Sequence, residues 1–188
     1  MAMYNNGQVT TAMVVKEGIP RGSLQYLVKQ GCIERVSRGV YTLPGVWEDE
    51  FIVLQSRYKR GIYSLDTVLY LTDLTDRTPI RFNMAFPYGY NLTNPKADGI
   101  SCAGIRSSLY EIGITELVTP SGNTVRGYSV ERTLCEILQP RNHIDIQIIT
   151  EAFKRYIKRT ERNISLLSEF AKLLKVEDKV KSYLEVLL

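Results

Sequence analysis

The apolar positions change period along the opening of the chain. Met13, Val14 and Val15 form a short helical cluster that Thr10 or Thr11 can cap and that stops at Gly18. Ile19-Pro20 opens a second helix, because proline in a first turn gives up only an N–H that would be unpaired anyway. Leu24, Leu27 and Val28 follow at i, i+3, i+4 spacing, which predicts one inward stripe, and Gly31 ends the run. The period then drops to two. Residues 33–36 and 40–43 alternate around Ser37-Arg38-Gly39, a hairpin with glycine at its turn, and Pro44-Gly45 closes the block.

The middle of the chain mixes both periods. Residues 48–60 carry a helical stripe of Phe51, Ile52, Leu54, Gln55 and Tyr58, ended by Gly61. Residues 64–74 predict a second helix, with Ser64 as its cap and Leu65, Val68, Leu69 and Leu71 inward. Strands are expected over 81–86, 100–105 and 114–118, and a further one over 124–128 after the turn Pro120-Ser121-Gly122-Asn123. Residues 129–138 return to helix. Everything from 144 to 188 reads as helical, in three stripes headed by Ile149, Leu166 and Val180. The expected fold class is therefore α+β: an N-terminal winged helix-turn-helix over 1–45, then a domain over 46–188. That second domain is mixed α/β to about residue 140 and ends in a helical tail over 144–188.

Composition narrows the function. Of the 188 residues 44% are apolar and 23% charged, ordinary values for a packed protein. The net charge of +4 is mild, but its distribution is uneven. Up to Gly45 the charged residues are Lys16, Arg21, Lys29, Arg35 and Arg38 against Glu17 and Glu34. Basic residues dominate again beyond Glu151, and the middle is slightly acidic. Basic ends suit a protein whose ends meet an anion. The three cysteines, Cys32, Cys102 and Cys135, are widely spaced and form no CxxC pair, which fits a reducing cytoplasm better than a disulfide framework or a zinc site. No apolar run approaches the roughly 20 residues that span a bilayer, and the start has no signal-peptide pattern, so a cytoplasmic protein without a membrane partner is expected.

Catalytic readings find little support. His143 is the single histidine, which removes multi-histidine metal sites and most histidine-dependent triads. Neither a Walker motif nor GxGxxG occurs. Glu177-Asp178-Lys179 are consecutive on a helix and point in different directions, so they form no metal cluster. A non-enzyme is expected, with no catalytic residue, cofactor or metal.

DNA binding has a physical basis. The second helix of a helix-turn-helix presents its N-terminal residues to base edges in the major groove. Once the apolar stripe is set aside, Arg21, Ser23, Gln25, Tyr26 and Lys29 remain on that helix. Arginine can donate two bonds to guanine, and glutamine can pair with adenine. Gly22 lets backbone approach DNA closely. Arg35 and Arg38 flank the wing turn, within reach of phosphate or the minor groove. Thr11 and Lys16, with Thr10, are candidates for holding the DNA backbone. A basic face of Lys154, Arg155, Lys158, Arg159 and Arg162 offers further candidates for phosphate or partner contacts, beside the reading of a solvated helix face.

The residues that carry this reading also carry a resemblance. Ile19-Pro20-Arg21-Gly22-Ser23-Leu24, then Leu27-Val28-Lys29-Gln30-Gly31, then Ile33-Glu34-Arg35-Val36-Ser37-Arg38-Gly39-Val40-Tyr41 resemble the N-terminal domain of the AbiEi family. These are antitoxins of type IV toxin–antitoxin systems, which act in abortive infection as antiviral defence. Tyr63-Ser64-Leu65-Asp66-Thr67-Val68-Leu69-Tyr70-Leu71 and Tyr128-Ser129-Val130-Glu131-Arg132-Thr133-Leu134 are similar to further family segments. The resemblance implies a repressor that binds inverted repeats in the promoter DNA of its own operon. It also implies that the C-terminal part counteracts a nucleotidyltransferase-like toxin, in some systems without a stable complex. DNA contact carries over to Arg21, Ser23, Arg35 and Arg38. The alternative is a stand-alone winged-helix transcription factor whose C-terminal domain senses a ligand or partner. Two departures from the family enter as expectations. Only Met1 to Asn6 precede Gly7, too few for the leading helix of the family, which would leave the inner face of Met13 and Val14 open. Pro20 and Gly22 replace polar and basic residues, which lowers the expected affinity for DNA.

Overall fold

The computed structural model describes residues 6–187, and packing divides the chain into two units. The first takes the residues up to 61 together with 116–125, and the second takes 62–115 together with 126 onward.

In the first unit, strand β1 (Gln8–Thr10) leads into helix α1 (Thr11–Lys16), then α2 (Gly22–Lys29) and the strands β2 (Glu34–Ser37) and β3 (Val40–Thr42). Thr10 caps α1, its hydroxyl accepting from the Met13 N–H at 3.2 Å. The turn between the helices is a Schellman motif. Gly18, at φ +72°, donates to the Val15 carbonyl and Ile19 donates to that of Val14. A second such motif ends α2, with Gly31 and Cys32 donating to the carbonyls of Val28 and Leu27. The strands form an antiparallel sheet in the order β1-β3-β2, with Val9 opposite Tyr41 and a bulge between Arg35 and Ser37.

Val9, Val14, Leu24, Ile33 and Tyr41 make the core of this head, with Val28 and Leu43 packed at its margin. Two expectations are corrected here. Leu27 lies on the exposed side of α2, at 36% exposure, because i+3 from Leu24 rotates it past the edge of a very small core. Val14 is not left open, since β1, a strand too short to register in the periodicity, brings Val9 onto it. The question of a leading helix falls on residues 1–5, outside the described residues.

Helix α3 (Glu50–Arg57) completes the unit. It starts at Asp49, which is buried and accepts from the Phe51 N–H at 3.0 Å through Oδ1. Its other oxygen, Oδ2, accepts from the Thr119 hydroxyl and from Asn123 Nδ2 at 2.9 Å. One carboxylate thus caps a helix and pins a tight turn some seventy residues later in the chain.

A five-stranded sheet lies mostly in the second unit, with residues 116–118 and 124–125 of its strands assigned to the first. Its strands are β4 (Ile62–Tyr63), β5 (Asn83–Pro87), β6 (Ser101–Ile105), β7 (Ile114–Val118) and β8 (Thr124–Tyr128), in the order β6-β5-β4-β8-β7. β5 pairs antiparallel with β4 and parallel with β6, and β4 pairs parallel with β8. Between strands run α4 (Leu65–Leu71), α5 (Thr93–Ala97) and α6 (Ser107–Tyr110). After β8 come α7 (Val130–Ile137), α8 (Ile146–Ile157), α9 (Ile164–Leu174) and α10 (Glu177–Leu187). The mixture of sheet and helices is the α+β class that the alternating periods predict.

Helix α7 runs through the centre of this unit, and Leu134 joins Leu69, Phe153, Leu167 and Phe170 in one apolar core. The charged pair Arg132 and Glu136 is buried beside it, at 2% and 5% exposure. Arg132 Nε donates to Glu136 Oε1 at 3.1 Å, Nη1 donates to the carbonyls of Leu109 (2.7 Å) and Ile112, and the guanidinium lies 3.3 Å from the Tyr128 ring centroid. A buried guanidinium is tolerable only when its donors are met in this way. Gly113 makes room for it: a Cβ there would come within 2.7 Å of Phe170 and 3.1 Å of Arg132 Cδ, on a backbone at φ +74°. Ser64 precedes α4 as expected but makes no capping hydrogen bond.

Candidate nucleic-acid interface

The second helix of the head carries its polar residues on one side. Gly22, Gln25, Tyr26 and Lys29 are spaced i, i+3, i+4, i+7 and so share a face, opposite the buried Leu24. Gln25 and Lys29 are exposed, and Tyr26 is 62% exposed. At the head of that face Arg21 occupies the cap position with its side chain exposed. Ser23, half-buried, turns toward the flank. A Cβ added at Gly22 would touch nothing within 4 Å, so glycine here serves no packing need inside the protein.

The wing is tied to the first helix. Thr11 donates both its N–H, at 2.8 Å, and its hydroxyl, at 3.4 Å, to the Gly39 carbonyl. Gly39 stands at φ +85°, a conformation that suits glycine, and a Cβ there would meet the Thr11 hydroxyl at 3.3 Å. Arg38 is therefore carried at a fixed position next to the start of α1, with its side chain exposed. Arg35, also exposed, folds back so that its Nε donates to the Ser37 carbonyl at 3.4 Å. Lys16 is exposed at the end of α1. The head thus presents a run of cations and neutral donors with Tyr26 among them. Donors of this kind on the second helix of a helix-turn-helix are those that read base edges, with cations nearby for phosphates.

The basic stretch of the second unit is arranged differently. Arg155 is engaged by Asp76 and Glu151, and by the Asp73 carbonyl. Arg159 donates to the Thr72 carbonyl, and Arg162 donates to that of Arg159 at 2.9 Å. Arg155 and Arg159 thus tie the end of α8 to residues 72–76, whereas Arg162 bonds only locally. Lys154 and Lys158 are the exposed cations of α8 and line a shallow open groove floored by Ile146. The ties of Arg155 and Arg159 span about eighty residues, so spacing along the helix gave no signal of them.

Among the described residues no cluster of three or more histidine, cysteine or acidic side chains could hold a metal ion, and no helix is long and apolar enough to cross a membrane.

The solved RV2827C protein from Mycobacterium tuberculosis is similar to this chain in fold, with a TM-score of 0.51 at 15% identity, covering 95% of this chain and 76% of that one. At that identity the likeness concerns fold alone. No curated protein matches the sequence. The family model described as "Transcriptional regulator, AbiEi antitoxin" matches residues 3–44, the segment that holds the head's helices and wing. Over that segment the chain is similar to the AbiEi antitoxin transcriptional regulators.

Proposed function

We propose that the chain is an antitoxin that represses its own operon by binding inverted repeats in its promoter DNA. In this reading its C-terminal unit counteracts a nucleotidyltransferase-like toxin without catalysis of its own. The observation that carries the reading is the exposed face of Gln25, Tyr26 and Lys29, headed by Arg21 and flanked by Arg38, within a segment matched by the AbiEi regulator family. Arg21 and Gln25 serve as base readers, Ser23 and Tyr26 as flanking contacts, and Lys29, Arg35 and Arg38 as phosphate or minor-groove contacts. Thr11 and Lys16 hold the DNA backbone beside the wing. On and just after α8, Lys154, Lys158 and the exposed Arg162 are the cations offered to phosphate or a partner, while Arg155 and Arg159 act by fixing the helix that presents them.

The test is a titration of the protein onto duplex DNA from upstream of its own gene and onto a scrambled duplex, at two salt concentrations. Tighter binding to the native duplex is expected, with log K falling against log salt by about 0.9 per phosphate neutralised. Arg21→Ala should cost about 1–3 kcal/mol and relax discrimination, whereas Arg38→Ala should weaken both duplexes alike and flatten the salt slope by about one. Equal affinity for the two duplexes would remove the repressor half of the reading. Failure to restore growth when the neighbouring toxin is expressed would remove the antitoxin half.

A further inference from the structure

Helix α8 buries one side and leaves the other open. Ile149, Ala152, Phe153 and Tyr156 enter the core of the second unit. On the opposite side Ile146, Thr150, Lys154 and Lys158, spaced four apart, line an open groove of about 420 Å³, wholly within that unit. A row of this spacing is a ridge against which a second helix packs. The row changes character along its length. Ile146 is 64% exposed and stands outside the core. Thr150 donates its hydroxyl to the Ile146 carbonyl at 2.7 Å, so its one donor is used. Lys154 and Lys158 follow, both exposed, about 12 and 18 Å along the axis from Ile146.

The acid of the groove is already matched. Glu151 pairs with Arg155 at 2.6 Å, and Arg155 reaches on to Asp76. Arg77 donates to Gln147 Oε1 at 3.3 Å. Among the described residues no ion pair engages Lys154 or Lys158. Two unmatched cations beside an exposed aliphatic end select an anion that also has an apolar part. Nucleic acid fits this poorly. Single strands are held on aromatic platforms, and no aromatic residue lines the groove. A continuous row of phosphates would also meet Glu151 and the exposed Asp76. A protein segment, by contrast, sets carboxylates only where the lysines stand.

We propose that this groove docks an acidic amphipathic helix of a partner protein. The helix lies antiparallel to α8, with carboxylates in its first turns against Lys158 and Lys154. An aliphatic side chain about two turns further on rests against Ile146. Acids favour the N-terminus of a helix and cations the C-terminus, so this orientation suits both dipoles. The inference rests on the reading above, in which the second unit meets a partner, and names what that partner offers. DNA contact by the head does not enter it, since every residue of the groove belongs to the second unit.

The test is an amide-resonance titration of the full chain with a synthetic helical peptide that carries glutamates in its first turns and leucines in its last. A copy with lysine for each glutamate and a short oligouridylate RNA run in separate arms. Saturable shifts centred on residues 146–158 are expected with the acidic peptide alone. Ile146→Ser, an exposed change outside the core, should weaken that binding about fivefold through lost apolar contact. Lys154→Glu combined with Lys158→Glu should weaken it about tenfold and remove its dependence on salt. The proposal is overturned by no saturable shift at millimolar peptide, by equal binding of the lysine copy, or by tighter binding of the RNA. Growth rescue separates it from the antitoxin reading. A double variant that still rescues overturns the groove alone, and a wild-type chain that binds the peptide yet rescues nothing overturns that reading alone.

Discussion

At the scale of single residues, Gly22 separates the needs of the fold from those of the proposed function. Glycine in the first turn of α2 weakens the helix, and no neighbour within 4 Å requires it. Gly22→Ala should therefore raise thermal stability, by about 0.5–1 kcal/mol on helix propensity. If α2 lies against DNA as proposed, the added methyl will at the same time reduce affinity for the promoter duplex. Thermal melts and the duplex titration on one protein sample check both signs, and a variant that is more stable and binds DNA as well as before would place α2 away from the duplex. The residues of this face were legible in the sequence because a helix pattern strips away its own apolar positions and leaves the rest. The buried pair Arg132–Glu136 was not, since its partners are the carbonyls of Leu109 and Ile112 and the ring of Tyr128, none of which the periodicity of α7 can signal.

At the scale of elements, sequence and structure agree best where the chain makes its own decisions locally. Strands β7 and β8 fall where the alternation and the turn at 120–123 place them, and Thr10, one of the two residues expected to cap α1, accepts the Met13 N–H. The elements without a signal are β1 and β4, three and two residues long, too short to show a period and dependent on neighbouring strands for their hydrogen bonds. The short α5 and α6 are similar cases. Helix α9 carries a local flaw open to measurement. It ends in a Schellman motif in which Lys175, exposed and at φ +57°, takes the left-handed position that glycine fills at the ends of α1 and α2. Lys175→Gly should stabilise the protein by about 0.5–1 kcal/mol, since the strain removed exceeds the added entropy of the unfolded chain. Denaturant unfolding will show this as a higher midpoint with an unchanged slope.

At the scale of the whole molecule, burial of acidic groups gives stability a direction in pH. Burial pushes the Glu136 carboxyl above its ordinary value of 4.5, although Arg132 opposes the shift. Burial raises Asp66 in the same sense from 3.8. A carboxyl raised on folding holds its proton more tightly in the folded state, so the stability it contributes is present below the ordinary value and is lost as pH rises through the folded one. Asp76 is lowered by its hydrogen bond and charge contact with Arg155, but it is fully exposed and solvent screening leaves it little weight. Thermal melts should therefore show stability falling as the pH is raised above about 4.5, and Glu136→Gln should make that fall shallower. An unchanged slope in the variant would mean that Glu136 does not set it.

The turn at 119–123 also bears on how the protein is made. Asp49 is satisfied only when Thr119 and Asn123 arrive, so the first unit depends on residues from the middle of the chain. During synthesis the ribosome must deliver the stretch to residue 125 before this carboxylate finds its donors, although the head itself closes on residues already made. A nascent chain stalled short of that point, or one cut by a protease within 62–115 and separated, keeps the surface proposed to meet DNA but leaves Asp49 with only the Phe51 N–H of its three hydrogen-bond donors.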